Sequence, residues 1–168
     1  MKEVTLKRWD ISYAERLQTL ADNRKIFNNV RDFFPSPYSI NDAVNFIQSV
    51  QKKDLPNNFA IHYKDEFVGA IGLKLQEDVY RHSAEIGYWI GEPFWGMGIG
   101  SIAVQLMTDY AFKQLKLKRI FAKVYSSNNA SKKVLEKSGF QLEGIFKNAV
   151  IKNGVLLDEY NYALIFTN

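Results

Sequence analysis

Apolar positions recur along this chain with two periods, and the switches between them mark out its elements. Residues 4–9 set Val4, Leu6 and Arg8 against Thr5, Lys7 and Trp9, an alternation that predicts a short first strand. Ser12-x-x-Glu15 has the form of a capping box ahead of a helix whose apolar stripe is Leu17, Leu20 and Ala21. Pro35 and Pro37 interrupt the segment 28–38, which is predicted to be irregular. Ser39-x-x-Asp42 restarts a helix through about Lys53, with Val44, Ile47 and Val50 or Phe46 turned inward. Residues 58–63 and 67–75 read as a hairpin around Lys64-Asp65-Glu66, where Gly69 and Gly72 leave room for close packing or a bulge. A strand at 84–90, a helix at 101–115, a strand at 119–125 and a helix from Asn128 to Gly139 follow. The pattern closes with a hairpin of 140–147 and 155–166 around Lys152-Asn153-Gly154, Asn-Gly being a strong turn signal. The order β-α-α-β-β-β-α-β-α-β-β predicts an α+β fold: a mixed sheet of about seven strands with about four helices on both faces. No repeat, linker or low-complexity tract divides residues 1–168, so one domain is expected.

The stretch that changes this picture is 84–101, AEIGYWIGEPFWGMGIGS. Gly96, Gly98 and Gly100 alternate immediately before the long helical pattern, so the first helical turn would offer bare backbone N–H groups at the positive end of the helix dipole. A dinucleotide fingerprint needs G-x-G-x-x-G and an acidic residue about twenty positions later. Here the third glycine comes one position early, and the downstream residues are Lys118-Arg119-Ile120. A mononucleotide P-loop needs a lysine that Gly100-Ser101 lacks. Glycines in plain turns are the remaining reading of this cluster alone.

Composition narrows the classes. Hydrophobic residues make up 46% and charged residues 24% of 168, ordinary for a globular chain. No run approaches the ~18 apolar residues that span a bilayer, and Met1-Lys2-Glu3-Val4 does not open a signal peptide; a cytoplasmic protein is expected. There are no cysteines, which removes disulfides, thiolate catalysis and cysteine metal sites. His62 and His82 lack metal-ligand spacing and read as bystanders, so no metal is expected. The net charge of +4 suits a polyphosphate ligand or an acidic partner surface. It is small beside 22 basic and 18 acidic residues spread along the chain, and no direct nucleic-acid contact is expected.

Glu85-Ile86-Gly87-Tyr88-Trp89-Ile90, followed by Pro93-x-Trp95-Gly96-x-Gly98-Ile99-Gly100-Ser101, resembles the acetyl-CoA-binding motif of the GNAT superfamily of N-acetyltransferases, in its RimJ/RimL-type form. Asn128-x-x-Ser131-x-x-Val134-Leu135-Glu136-Lys137-x-Gly139-Phe140 is similar to a second block of that branch, and Glu143-Gly144 through Asp158-x-Tyr160 to its terminal hairpin. The resemblance implies a mostly antiparallel GNAT-like sheet and direct acetyl transfer from acetyl-CoA to a primary amine in a ternary complex. The acceptor it suggests is a protein N-terminal α-amine, of a ribosomal or other protein. Small amines, polyamines or antibiotics are alternative acceptors, and a non-catalytic acyl-CoA sensor remains a rival from another class. The state expected is a monomer or homodimer.

On this reading Gly96, Met97, Gly98, Ile99, Gly100 and Ser101 cradle the pyrophosphate, and Tyr88, Trp89 and Ile90 run beside the pantetheine arm. Trp95 begins the motif, and Met97 departs from the branch's usual basic or polar residue. Lys132 and Lys133 are candidate phosphate contacts or simply a solvated pair. Glu85 shares a strand face with Gly87 and Trp89, so its carboxylate is the candidate base, against the bland reading of a strand carboxylate paired with Arg81. Many superfamily members carry a tyrosine seven residues after the motif asparagine, and Leu135 stands there. Ser131 is the residue the branch offers near the thiol, and Asn128 is expected to cap its helix. Phe33, Phe34 and Tyr38 read either as an aromatic plug over the core or as a wall of the acceptor site. Tyr160 is a further acceptor-side candidate.

Overall fold

The computed structural model describes residues 3–51 and 55–167. Strand β1 (Val4–Lys7) leads through a 3-10 turn into helix α1 (Ala14–Ala21), a four-residue helix α2 (Arg24–Phe27) and helix α3 (Ile40–Gln51). Strands β2 (Asn58–Tyr63), β3 (Glu66–Leu75) and β4 (Ser83–Ile90) follow, then α4 (Ile99–Lys113), β5 (Arg119–Tyr125), α5 (Asn129–Lys137), β6 (Gln141–Lys152) and β7 (Val155–Ile165). The seven strands form one sheet in the order β1-β2-β3-β4-β5-β7-β6, antiparallel except where β4 meets β5. The described residues carry one helix more than expected: α2, whose start Asn23 caps by accepting from the N–H groups of Lys25 and Ile26.

The start signals divide. Ser39 and Asp42 form the expected reciprocal box, Ser39 N–H donating to Asp42 Oδ2 at 2.8 Å and Asp42 N–H to Ser39 Oγ at 3.2 Å. The Ser12 box does not form. Asp10 accepts from both the N–H and the Oγ of Ser12, at 2.9 and 2.6 Å, so an Asx-type turn two residues long outcompetes the three-residue box. The expected extension of α3 to Lys53 falls on 52–54, outside the described residues.

Two hairpins show their turn chemistry plainly. Lys64 and Asp65 (φ 49° and 65°) join β2 to β3, and Asn153 and Gly154 (φ 51° and 76°) join β6 to β7. Both pairs suit the two-residue turns with positive φ that match strand twist. Gly69 allows β3 and β4 to close, since a Cβ there would lie 2.2 Å from the Trp89 carbonyl oxygen. A bulge at Ile61/His62 lies opposite.

Alternation on β4 places Ala84 and Ile86 in the core beneath α4, whose Ile99, Ala103, Met107 and Ala111 form a buried stripe at helical spacing. The other sheet face packs on α1 and α3 through Leu17, Ala43 and Ile47. Among the described residues, no helix is long and apolar enough to cross a membrane.

Candidate active site

The site grows from a break in the sheet. β4 and β5 pair in parallel for three positions, Ser83 with Arg119, Ala84 with Ile120 and Glu85 with Phe121, and their ladder stops there. β5 stays paired with β7 along its whole length, and β4 with β3. The strands therefore part beyond Glu85. The N–H of Gly91 donates to Val68, so by antiparallel alternation Trp89 and Gly87 turn their backbone groups to β3, whereas Tyr88 and Ile90, past the last β4–β5 pair, turn theirs into the gap. A cleft of about 550 Å³ occupies it, lined from β4 by Glu85 to Trp89, from β5 by Ala122 to Tyr125, and from the start of α5 by Asn128 and Ser131.

On one side of the break lies the glycine turn. Gly96 and Gly98 have φ of 78° and 77°, a region costly for a residue with a Cβ, and Gly98 is the N-cap of α4 with no side chain capping it. The first N–H groups of α4 consequently lack intrahelical partners. Gly100 packs against Val134 of α5, where an added Cβ would lie 3.4 Å from the valine. The Trp95 indole donates to the Ile90 carbonyl at 2.7 Å and fixes the turn to the end of β4, while half its surface stays exposed. Met97 is exposed at the turn.

Ser131 begins α5. Asn128 caps that helix as expected, accepting from the Ser131 N–H at 3.1 Å. The Tyr88 hydroxyl crosses from β4 to lie 2.8 Å from Ser131 Oγ and 3.3 Å from the Ser131 carbonyl. Burial pushes the Tyr88 phenol up to about 12, against the smaller opposing effect of the Ser131 hydrogen bond, so it stays neutral at ordinary pH. Leu135 is fully buried in the core and presents nothing to the cleft.

On the opposite side, Glu85 lies on the sheet face of Gly87 and Trp89, its side chain 17% exposed. Its partner is Arg31, from the irregular segment 54 positions earlier, and not Arg81, which donates to the Asp78 carbonyl. Arg31, Glu159 and Tyr125 are among the lining residues that sequence reasoning missed. Burial, joined by the carboxylates of Asp32, Glu159 and Glu85 and opposed by Arg31, raises the Tyr125 phenol above its ordinary range. Phe33, Phe34 and Tyr38 all line the cleft. Tyr38 is buried, Phe34 stands 5.0 Å from Tyr38 and 6.2 Å from Trp89 between ring centroids, and Phe33 is 82% exposed at the rim.

Comparison with known proteins decides the family. Residues 3–141 match the family profile described as Acetyltransferase (GNAT) domain. This chain is a GNAT acetyltransferase. It is 37% identical over 126 residues to the uncharacterized N-acetyltransferase p20 of Bacillus licheniformis, covering 74% of this chain and 70% of that one. It is 36% identical over 107 residues to the ribosomal-protein-serine acetyltransferase of Escherichia coli, covering 64% and 59%. Among solved structures, the RimL ribosomal L7/L12 α-N-protein acetyltransferase in complex with coenzyme A superposes with a TM-score of 0.86 at 27% identity, covering 99% and 96% of the two chains. The microcin C7 self-immunity acetyltransferase MccE, in complex with acetyl-CoA and AMP, gives 0.82 at 29%, covering 99% and 94%.

GNAT enzymes use acetyl-CoA as cosubstrate, and the residues present in this GNAT chain fit it. Cβ atoms at Gly96 and Gly98 would meet nothing within 4 Å, so the turn faces open space. An uncapped helix start beside it suits a pyrophosphate, and the free edge of β4 suits an amide-bearing arm. Two expected contacts sit elsewhere. The Lys132 ammonium donates to the Ser126 carbonyl at 2.8 Å and lies 3.8 Å over the Tyr160 ring, so its charge is spent locally. Tyr160, beneath it, packs on the core and stands outside the residues lining the cleft.

Proposed function

We propose that this GNAT N-acetyltransferase acts as a single domain that acetylates a protein N-terminal α-amine, and that it works in the cytoplasm as a monomer or homodimer. The observation that carries the reading is the continuity of the cleft, which runs from Tyr88 and Ser131 at the cofactor side to Glu85 and Arg31 at the other. Acetyl-CoA supplies the activated acetyl group; the backbone of Gly96 to Ser101 and the free edge of β4 hold it. With no cysteine in the chain to carry the acetyl group, transfer is direct.

Glu85 accepts the proton of the incoming amine, directly or through water, with Arg31 orienting its carboxylate. That carboxylate is already hydrogen-bonded to an arginine, which favours an acceptor that gives up its proton easily. An α-amine, with a pKa near ~7.7–8.0, loses its proton about 3–4 kcal/mol more readily at neutral pH than a lysine ε-amine at ~10.4. Either hydroxyl of the Tyr88–Ser131 pair can donate; when the Tyr88 proton points to Ser131, the serine proton is free to face the departing sulfur, and the start of α5 adds its dipole. The likeness to the E. coli ribosomal-protein-serine acetyltransferase and to RimL supports a ribosomal-protein terminus as acceptor.

The test is a thermal-melt series with acetyl-CoA, CoA and NAD, followed by acetylation assays on Ser- and Ala-initiated peptides, amino acids and polyamines. Ligand at ~100 times Kd adds about 2.7 kcal/mol of stability. A rise with the two CoA species alone and transfer to peptides is the expected outcome. Transfer to amino acids or polyamines alone overturns the protein acceptor, and CoA binding without any transfer favours a sensor.

A further inference from the structure

Lys152 closes β6, at the tip of a hairpin where a lysine would ordinarily stand in water. Its side chain is instead 3% exposed. The ammonium lies 2.6 Å from Asp32 Oδ1 and 3.6 Å over the Phe27 ring. Burying a lysine costs heavily unless the charge is paired, and here a carboxylate and an aromatic face both meet it. The next residue extends the contact: Asn153 Nδ2 donates to Asn28 Oδ1 at 2.9 Å, and Arg24 donates to Asn153 Oδ1 at 3.1 Å. One hairpin tip thus grips α2 and the segment after it at several points.

That segment forms a wall of the acceptor end. Residues 31 and 32 are chain neighbours with separate anchors, Arg31 on Glu85 of β4 and Asp32 on Lys152 of β6. With Pro35 and Pro37 and no helix or strand between Asn28 and Ser39, no backbone ladder holds the wall. Its shape depends on such side-chain anchors, together with the Tyr38 N–H donating to Asp22 Oδ1 at 3.0 Å. We infer that Lys152 is a positioning residue for the acceptor site: by holding Asp32 it fixes the wall that carries Arg31 and Phe34, and so sets the Arg31–Glu85 pair against the incoming amine. The inference rests on the acceptor-side reading of Glu85 given above.

The experiment compares Lys152→Met, Asp32→Ala and the double variant in steady-state kinetics on the best acceptor peptide, with amide hydrogen exchange of residues 28–38 measured in parallel. Lys152→Met removes the buried charge itself, so it folds even if Asp32→Ala, which leaves that ammonium with only the Phe27 ring, does not. The expected result is a fivefold or larger rise in the acceptor KM for either single variant and no further rise in the double. The KM for acetyl-CoA stays unchanged, and exchange is faster over 28–38 but not over α4. A lower melting temperature with unaltered acceptor KM and unaltered exchange overturns the inference and leaves Lys152 a structural tie. If the wild-type protein acetylates nothing, the proposed function fails; the exchange data on 28–38 then decide the latch alone.

Discussion

The two ends of the cleft are built from different materials. On the reading proposed above, the cofactor end is backbone: glycines at positive φ, the first N–H groups of α4 and the free edge of β4, all from one contiguous stretch. The acceptor end is side chains, brought together from an irregular segment, β4, β5, β7 and the tip of β6. A backbone site is indifferent to most substitutions, since every residue but proline supplies an N–H; it fails where a Cβ forbids the conformation. A side-chain site can be retuned one residue at a time. On these terms a chain could keep its acyl donor while its acceptor drifts, and each variant should damage one substrate's kinetics and spare the other's.

Glu85→Gln should break the acceptor end most severely. The amide keeps the size and a hydrogen bond toward Arg31 but cannot take a proton, so turnover at neutral pH should fall about 100-fold, within the range for loss of a general base. The KM for acetyl-CoA should stay within about twofold, because the cradle draws nothing from this carboxylate. Unchanged turnover removes Glu85 from the base role. A matching loss of acetyl-CoA affinity would show that the ends are coupled after all.

Gly98→Val attacks the other end. Its φ of 77° lies where a β-branched residue is strained by about 1–3 kcal/mol. The turn should shift to relieve that strain and tilt the N–H groups away, weakening acetyl-CoA by roughly tenfold or more, since about 1.4 kcal/mol is a factor of ten. Acceptor KM at saturating acetyl-CoA should not move. Isothermal titration with CoA separates this from unfolding; wild-type affinity would mean that the cradle is not where the pyrophosphate is held.

What could be read from the sequence follows the same division. Residues 84–101 lie together along the chain, so alternating glycines after a strand are visible without the fold, and Asn128 capping the Ser131 N–H is a three-residue relationship. Arg31 meets Glu85 across 54 positions and Lys152 meets Asp32 across 120, and no periodicity encodes such pairings. Lys152 beside a turn reads as solvated, and its burial comes from tertiary packing on Phe27. Lys132 is the converse case. A lysine at a helix start near a glycine turn suggests a phosphate contact, yet its long stem folds it back onto Ser126 and Tyr160. At Ser12 the failure is local competition, because Asp10 takes the same hydroxyl and N–H from two residues upstream.

The smallest effect sharpens the comparison, because each end of the cleft holds a phenol pushed up to about 12. Tyr38 in the acceptor wall is pushed up to about 12 by burial and then by the Asp42 charge, and Tyr88 at the cofactor end to about 12 by burial. In both, the folded state holds the proton more tightly than the unfolded chain, whose tyrosines ionise near ~10. Their contribution to stability is therefore whole below pH 10 and lost as pH rises toward 12. At pH 11 the loss is on the order of 1 kcal/mol per tyrosine. Melting temperature should drop between pH 9 and 11, and Tyr38→Phe or Tyr88→Phe should each remove part of that drop. Tyr162, also raised to about 12, provides a residual in both variants. CoA distinguishes the two ends. Lodged beside β4 it should bury Tyr88 further and delay phenolate absorbance at alkaline pH in Tyr38→Phe, while leaving the titration of Tyr88→Phe where it was. An equal delay in both variants would mean that the ligand reaches the acceptor wall, and the division of the cleft into a backbone end and a side-chain end would have to be redrawn.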